Sequence, residues 1–229
     1  MRQFVPKFQG RPWISGERVL HVYVCPRAGV DDELLRLVGR ATEAMAPYPV
    51  DPQAPHCPAD PGWLHLTVEM VADAPSAAIS DPDRTKLVDA LTDALADVEA
   101  FQTEAGPPIG NIAGAVLDVW PDRQAVALQD RVRSVLRAVR GDRAVTPSAD
   151  RPHLSLGYAY ADADSDPLNS VLRTTITPRR APLLVDRVHV VDVTWVYESM
   201  PGGDGWRMSW TPVAEIPLRA ARPQFAGGA

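Results

Sequence analysis

Two segments with the same four-residue pattern lie in different halves of the chain. His65-Leu-Thr-Val68 and His153-Leu-Ser-Leu156 both read histidine, apolar, hydroxyl, apolar. With five histidines in the sequence, about 0.1 chance matches to this pattern are expected. Alternate side chains of a strand share a face, so each segment predicts an apolar face and an opposite face with an imidazole beside a hydroxyl. We therefore expect both histidines in the middle of strands, one in each of two related halves.

The spacing of apolar residues predicts a mixed α and β fold. Alternation indicates strands over 18–24, 62–71, 113–120, 151–161, 185–198 and 206–218. Helix-start signals indicate helices beginning at Asp31, Ser80, Asp122 and Asp166. The helix that begins at Asp122 carries a basic row on one face, Arg133, Arg137 and Arg140, and we expect this face to be solvated. The stretches 47–61 and 106–114 are predicted to be loops because they are rich in proline and glycine. The order strand–helix–strand–helix occurs twice, which favours one domain made of two similar halves.

Composition and charge narrow the class of protein. The chain has 45% hydrophobic and 23% charged residues, which is typical of a soluble globular protein. We expect no membrane span and no secretory signal, and two cysteines outside any CxxC pair favour a reducing, cytoplasmic location. The net charge of −6 argues against a broad basic surface for long nucleic acid. It leaves open a small nucleotide or an RNA end.

Two histidines that face each other suit the cleavage of a phosphodiester. In-line displacement at phosphorus needs a base on the attacking oxygen and an acid on the leaving oxygen. Because histidine titrates near neutrality, one neutral and one protonated imidazole can take these roles. Thr67 and Ser155 could donate hydrogen bonds to the non-bridging oxygens, where negative charge accumulates. This chemistry needs no metal or cofactor.

These segments and their surroundings resemble the 2H phosphoesterase superfamily, also called the LigT-like or 2′-5′ RNA ligase family, which is defined by two H-x-[S/T]-x motifs. Trp63 to Val68 is similar to the first motif strand and Arg151 to Leu156 to the second. The segment 115–120 resembles the middle strand of the family, and 196–199 with Trp206 onward resembles its C-terminal hairpin. The resemblance covers roughly 18–218.

The resemblance implies an α+β, bilobal fold with two pseudo-symmetric antiparallel sheets, outer helices and a central cleft. It implies action on 2′,3′-cyclic phosphates, on 2′-5′ linkages or on cyclic phosphates of ADP-ribose. It also implies His65 and His153 as acid and base, in either order, and Thr67 and Ser155 as phosphate ligands. Ser155 stands where threonine is commoner, and the hydroxyl is kept.

The resemblance also suggests how the chain is divided. We expect an N-terminal extension over 1–17, a single 2H phosphoesterase domain over 18–220 and a flexible tail over 221–229. The extension and the 47–61 loop are not typical of the smallest members of the family. The rim that binds substrate is therefore expected to differ in this chain.

Other residues could contribute to substrate binding. Arg151 shares a strand face with His153 and could touch a phosphate, while His21 and Tyr23 could line the cleft or pack as an interior pair. Glu69 continues the His65–Thr67 face and could orient an imidazole, but we interpret it as a solvated carboxylate at the end of the strand. Trp13, Trp195 and Tyr197 could stack a base, although Trp195 and Tyr197 are expected in the core. His56 and His189 lack a hydroxyl at the right offset and receive no role, and no ligand spacing supports a zinc site.

Two functional classes remain open from the sequence. The first is an enzyme, a cyclic phosphodiesterase that could run in reverse as a 2′-5′ RNA ligase. The second is a non-catalytic module that binds a nucleotide or an RNA end on the same scaffold. Two intact motifs favour catalysis, because binding alone would not require two histidines. We expect a monomer without an obligate protein partner.

Overall fold

The computed structural model describes residues 1–54, 61–147 and 151–220. The strands in this part are β1 (Lys7–Phe8), β2 (Arg11–Pro12), β3 (Arg18–Val24), β4 (Val50–Pro52), β5 (Leu66–Met70), β6 (Phe101–Gly110), β7 (Gly114–Trp120), β8 (His153–Ala159), β9 (Ala181–Val185), β10 (Arg187–Met200) and β11 (Gly203–Pro217). The helices are α1 (Asp32–Met45), α2 (Asp81–Leu95), α3 (Arg123–Arg140) and α4 (Asp166–Thr175). No helix in these ranges is long and apolar enough to cross a membrane.

Nine of the strands form one antiparallel sheet. Its order is β11-β10-β3-β5-β8-β7-β6-β9, with β4 paired to the far part of β8. The first four strands of this order form one half and the last four the other. The halves meet at a single residue pair, Leu66 opposite Leu154. The two predicted sheets are thus joined at their inner edges, and the α+β class is confirmed.

The sheet separates two apolar clusters. The larger lies between one sheet face and the helices, with α2 against α3 and α1 against α4. Fully buried leucines at helical spacing, Leu87, Leu91 and Leu95, show why α2 adheres there. The helix begins where the sequence predicts, because Ser80 accepts a hydrogen bond from the Asp83 amide (3.3 Å) and Pro82 fits the first turn.

The smaller cluster lies on the opposite face and is covered by the N-terminal strap, a name we use for residues 1–17. Phe8 and Trp13 of the strap are buried against Val193 and Trp195 of β10. Main-chain bonds hold the strap at both ends, from Phe4 N to the Ala159 carbonyl (2.7 Å) and from Gly16 N to the Trp195 carbonyl (2.8 Å). The extension is therefore part of the packed structure.

Several predicted boundaries were wrong. The stretch 106–114 was predicted to be a loop, but its first part belongs to β6, and β4 and β9 were not predicted. Pro107 and Pro108 are tolerated because β6 pairs with β9 only over 101–105 and its ladder with β7 has a register shift between Ala105 and Pro108. His56 and the tail 221–229 lie outside the described residues.

A buried ion pair links α3 to β5 and corrects two predictions. Arg133, expected on a solvated helix face with Arg137 and Arg140, is buried and donates to the Glu69 carboxylate. Glu69, expected to be solvated, also accepts from the Thr146 hydroxyl (3.0 Å). Arg140 forms an ion pair with Asp73 (2.7 Å). Of the three arginines in the predicted basic row, only Arg137 is exposed and makes no ion pair with a described residue.

This ion pair gives a stability prediction. Arg133→Met leaves the Glu69 charge buried without its partner, so we expect the free energy of unfolding to fall by about 3 kcal/mol. The matched control is Arg131→Met on the same helix, whose exposed pair with Asp97 contributes little because water screens it. Urea unfolding monitored by circular dichroism measures both. Equal losses for the two variants would contradict a structural role for the buried pair.

Candidate active site

The candidate site lies where the two halves of the sheet separate. Leu66 and Leu154 are both buried and form the pair between β5 and β8. Carrying this antiparallel register one residue to each side sets His65 opposite Ser155 and Thr67 opposite His153. His65 immediately precedes β5 and His153 is the first residue of β8, so the prediction that both lie mid-strand was wrong. The two motifs are nevertheless brought together.

The backbone orients both motif histidines in the same way. His65 Nδ1 lies 2.7 Å from the Trp63 carbonyl and His153 Nδ1 lies 2.8 Å from the Arg151 carbonyl. A carbonyl can only accept, so each Nδ1 carries the proton and each Nε2 presents a lone pair when the ring is neutral. No residue in the described ranges forms a hydrogen bond with either Nε2. Both Nε2 atoms are thereby left for proton transfer.

A cavity of about 300 Å³ opens beside the Leu66–Leu154 pair. Thr67, His153 and Ser155 line it, and so do Arg151 and His21 among the other predicted residues. His65 and Tyr23 do not line it. The structure thus brings both motif hydroxyls and His153 to the cavity surface, whereas His65 lies behind the residues that line the cavity.

His65 is enclosed by aromatic rings. Its ring stacks on Tyr23 (centroids 4.2 Å apart) and meets Trp210 edge-on (5.5 Å), and 2% of its surface is exposed. Burial lowers the pKa of His65 to about 3, against the opposing effect of the Trp63 carbonyl. Positive charge on nearby His21 or His153 would lower it further. At neutral pH His65 is therefore a neutral imidazole.

His21 and Tyr23 lie in different environments. His21 is also buried and its Nδ1 lies 3.0 Å from the Val19 carbonyl, but it reaches the cavity wall. Burial lowers the pKa of His21 to about 4. Tyr23 is packed between the rings of His21 and His65. Tyr23 is therefore an interior residue, whereas His21 lines the cavity.

Each motif strand has a bulge one residue after its hydroxyl. In β5 the pairing with β3 shifts at Val68, and in β8 the pairing with β7 shifts at Leu156. A bulge reverses the alternation of faces beyond it. Glu69 consequently leaves the Thr67 face of the strand and pairs with Arg133 on α3, although it still lines the cavity. The simple alternation did not predict this pair.

The second bulge adds a residue that sequence reasoning missed. Tyr158 lies three positions after Ser155 and should face the other side of a regular strand, yet its hydroxyl donates to Ser155 Oγ (3.0 Å). Burial raises the pKa of Tyr158 to about 12, so the phenol keeps its proton. Because Ser155 Oγ accepts this bond, its own proton can be directed to another acceptor, such as a phosphate oxygen. Only knowledge of the bulge could have identified Tyr158.

The remaining candidates lie elsewhere or are already paired. Arg151 reaches the cavity, and its guanidinium, 61% exposed, donates to Asp118 (2.8 Å). Trp13 and Trp195 are buried in the smaller cluster, whereas Tyr197, expected in the core, is 46% exposed beside Trp206. None of these three aromatic residues lines the cavity. In the described ranges, no group of three histidine, cysteine or acidic side chains could hold a metal ion.

Several solved structures share the fold of this chain. A protein of Thermus thermophilus superposes with a TM-score of 0.58 at 18% identity, over 89% of this chain and 100% of the other. Escherichia coli LigT in apo form gives 0.55 at 14% identity, over 90% and 99%. Escherichia coli LigT complexed with 3′-AMP gives 0.56 at 14% identity, over 88% and 98%. At these identities the likeness shows the fold.

Sequence comparison supplies the family. No curated protein matches the chain. The family model described as "2′-5′ RNA ligase superfamily" matches residues 32–194, which include both histidine motifs, the two bulges and the Leu66–Leu154 pair. The chain belongs to the 2′-5′ RNA ligase superfamily.

Proposed function

We propose that the chain is a metal-independent phosphoesterase that acts on a 2′,3′-cyclic phosphate or a 2′-5′ phosphodiester of an RNA end or small nucleotide. The observation that carries the proposal is the matched pair of imidazoles, each fixed through Nδ1 and each free at Nε2, on either side of one backbone pair. Family membership supports phosphoester chemistry. The 3′-AMP complex of E. coli LigT concerns a nucleoside monophosphate, the type of product that opening a cyclic phosphate leaves.

The environments of the two rings suggest which is the base. His65 is neutral at neutral pH because burial lowers its pKa, so we assign it the base. His153 lies at the cavity surface, and we assign it the acid. His65 Nε2 takes a proton from water as the water oxygen bonds to phosphorus. His153 Nε2 gives a proton to the ribose oxygen as its bond to phosphorus breaks. The rings exchange roles in the reverse, ligating direction.

The hydroxyls complete the proposed machinery. Thr67 and Ser155 line the cavity on opposite strands, where both can donate to the non-bridging oxygens as negative charge grows there. Tyr158 holds Ser155 Oγ through its own hydrogen bond, so the serine is oriented before the substrate binds. Since the register sets Ser155 opposite His65, a phosphate at Ser155 is also the one nearest to the buried ring.

The burial of His65 also gives weight to the non-catalytic alternative. A ring that is 2% exposed reaches a ligand only if the ligand enters to the base of the cavity. A module that merely binds nucleotides would need His153, Thr67 and Ser155 but no contact with His65. Product formation measured beside ligand affinity separates the two functions.

Histidine substitution tests the mechanism. Asparagine can replace the Nδ1 donor but cannot transfer a proton, so His65→Asn and His153→Asn should each lower kcat/KM on a 2′,3′-cyclic nucleotide about 10³-fold. His189→Asn is the matched control, because His189 lies on β10 outside the cavity. Thermal unfolding verifies that each variant is folded. A His65 variant with near wild-type turnover would contradict the two-histidine mechanism.

The pH dependence of kcat/KM tests the assignment of the base. A base whose pKa is about 3 remains unprotonated through mildly acidic solution, so we expect no acidic fall in kcat/KM between pH 7 and about pH 4.5. Initial rates across this range measure it. A fall centred near pH 6.5, the ordinary histidine value, would contradict a buried base.

Acid unfolding must be separated from this profile. The unfolded chain binds protons at His21 and His65 near pH 6.5, whereas the folded chain binds them only near pH 4 and pH 3. Stability is therefore complete above pH 6.5 and falls as the pH drops, by about 1.4 kcal/mol per pH unit for each histidine, down to about pH 4 for His21 and about pH 3 for His65. Enzyme held at each pH and assayed again at pH 7 reveals any irreversible loss.

Chelation tests metal independence. After exhaustive dialysis against EDTA, we expect kcat/KM to be unchanged, because the proposed steps use only imidazoles and hydroxyls. Activity that is lost on dialysis and restored by zinc would favour a metal site at the histidines instead.

A further inference from the structure

A second cavity, of about 920 Å³, adjoins the candidate active site. Met70 and Thr146 line both cavities, so the two are neighbours along one wall. The N-terminal strap forms one side of the second cavity through Lys7, Gln9 and Gly10. The end of α3 and the turn that follows it form the other side, through Arg137, Asp142 and Arg143.

Positive side chains outnumber unpaired negative ones around this cavity. Lys7, Arg137 and Arg143 are exposed cations that make no ion pair with a described residue. Asp73 also lines the cavity, but Arg140 neutralises it through two hydrogen bonds (3.1 and 2.7 Å). Asp142 is the one remaining carboxylate among the described lining residues. A chain of net charge −6 thus presents a local excess of positive charge next to its candidate active site.

The N-terminal strap fixes the position of Lys7. Gln9 Nε2 donates to the Ala72 and Asp73 carbonyls (3.3 and 2.7 Å), just beyond β5. Phe8 beside it is fully buried. Lys7 therefore projects from a fixed segment, and it lies outside residues 32–194 that match the family. The carbonyl end of α3 disfavours anions, so any affinity for them has to come from the three cationic side chains.

We propose that this cavity is a second phosphate subsite, which binds a phosphate group on the same substrate as the reacting phosphodiester. Guanidinium and ammonium groups bind phosphate strongly, and because Met70 and Thr146 line both cavities, the second phosphate would lie next to the cavity that holds the first. The substrate class is then a nucleotide with a cyclic phosphate at one end of its ribose and a second phosphate at the 5′ side. The inference rests on the proposed function, which supplies the first phosphate.

Product analogues test the subsite without requiring turnover. Isothermal titration with adenosine 3′-monophosphate and adenosine 3′,5′-bisphosphate compares one phosphate with two. We expect the bisphosphate to bind the wild-type chain about tenfold more tightly. Lys7→Gln combined with Arg143→Gln should remove this advantage and leave the affinity for the monophosphate unchanged.

The control carries the same change in net charge. Arg36 and Arg131 are exposed arginines outside this cavity, so Arg36→Gln combined with Arg131→Gln should keep the tenfold advantage. Equal affinities in the wild-type chain, or loss of the advantage in this control, would overturn the subsite. If neither ligand binds, the proposed function fails and the subsite with it; if only the advantage is missing, the subsite alone fails.

A further ligand separates two sources of the second phosphate. A dinucleotide with a 3′-terminal phosphate carries its second phosphate as an internal diester. A gain for the dinucleotide, removed by the double substitution, supports an RNA end as the ligand. A gain confined to the bisphosphate supports a small nucleotide with a terminal phosphate, and both results support the subsite.

Discussion

The geometry of the site depends on one backbone pair, Leu66 opposite Leu154, between the two halves of the sheet. Side chains alternate along a strand, so a slip of one residue would turn the motif side chains toward the helices. Both leucines are buried in the larger cluster, and this fixes the register. The same packing that joins the halves therefore sets His65 opposite Ser155 and Thr67 opposite His153.

Local features then refine what the register provides. Carbonyls two residues upstream orient both imidazoles, and a bulge after each hydroxyl redirects the next residues. The bulge in β5 sends Glu69 to Arg133, while the bulge in β8 brings Tyr158 to Ser155. Because both halves repeat these features, the site has approximate two-fold symmetry. The surroundings of the two histidines are not symmetric, since aromatic rings enclose His65 whereas His153 lies at the cavity surface.

The sequence predicted the motifs, the α+β class and the four helices because these follow from local periodicity and capping. It did not predict β6, where prolines are tolerated on a part of the strand that has only one neighbour. It also did not predict the burial of His65, because Trp210 and Tyr23 come from distant parts of the chain. Arg133 was expected in solvent because helical spacing does not reveal that Glu69 reaches it across a bulge.

A crystal structure of the chain with adenosine 3′-monophosphate bound tests the convergence of the two rings most directly. We expect Nε2 of His65 and of His153 both within about 3.2 Å of oxygens on a single phosphate, with Thr67 and Ser155 on its other oxygens. A phosphate held by His153 and His21, with His65 still behind Tyr23, would contradict it.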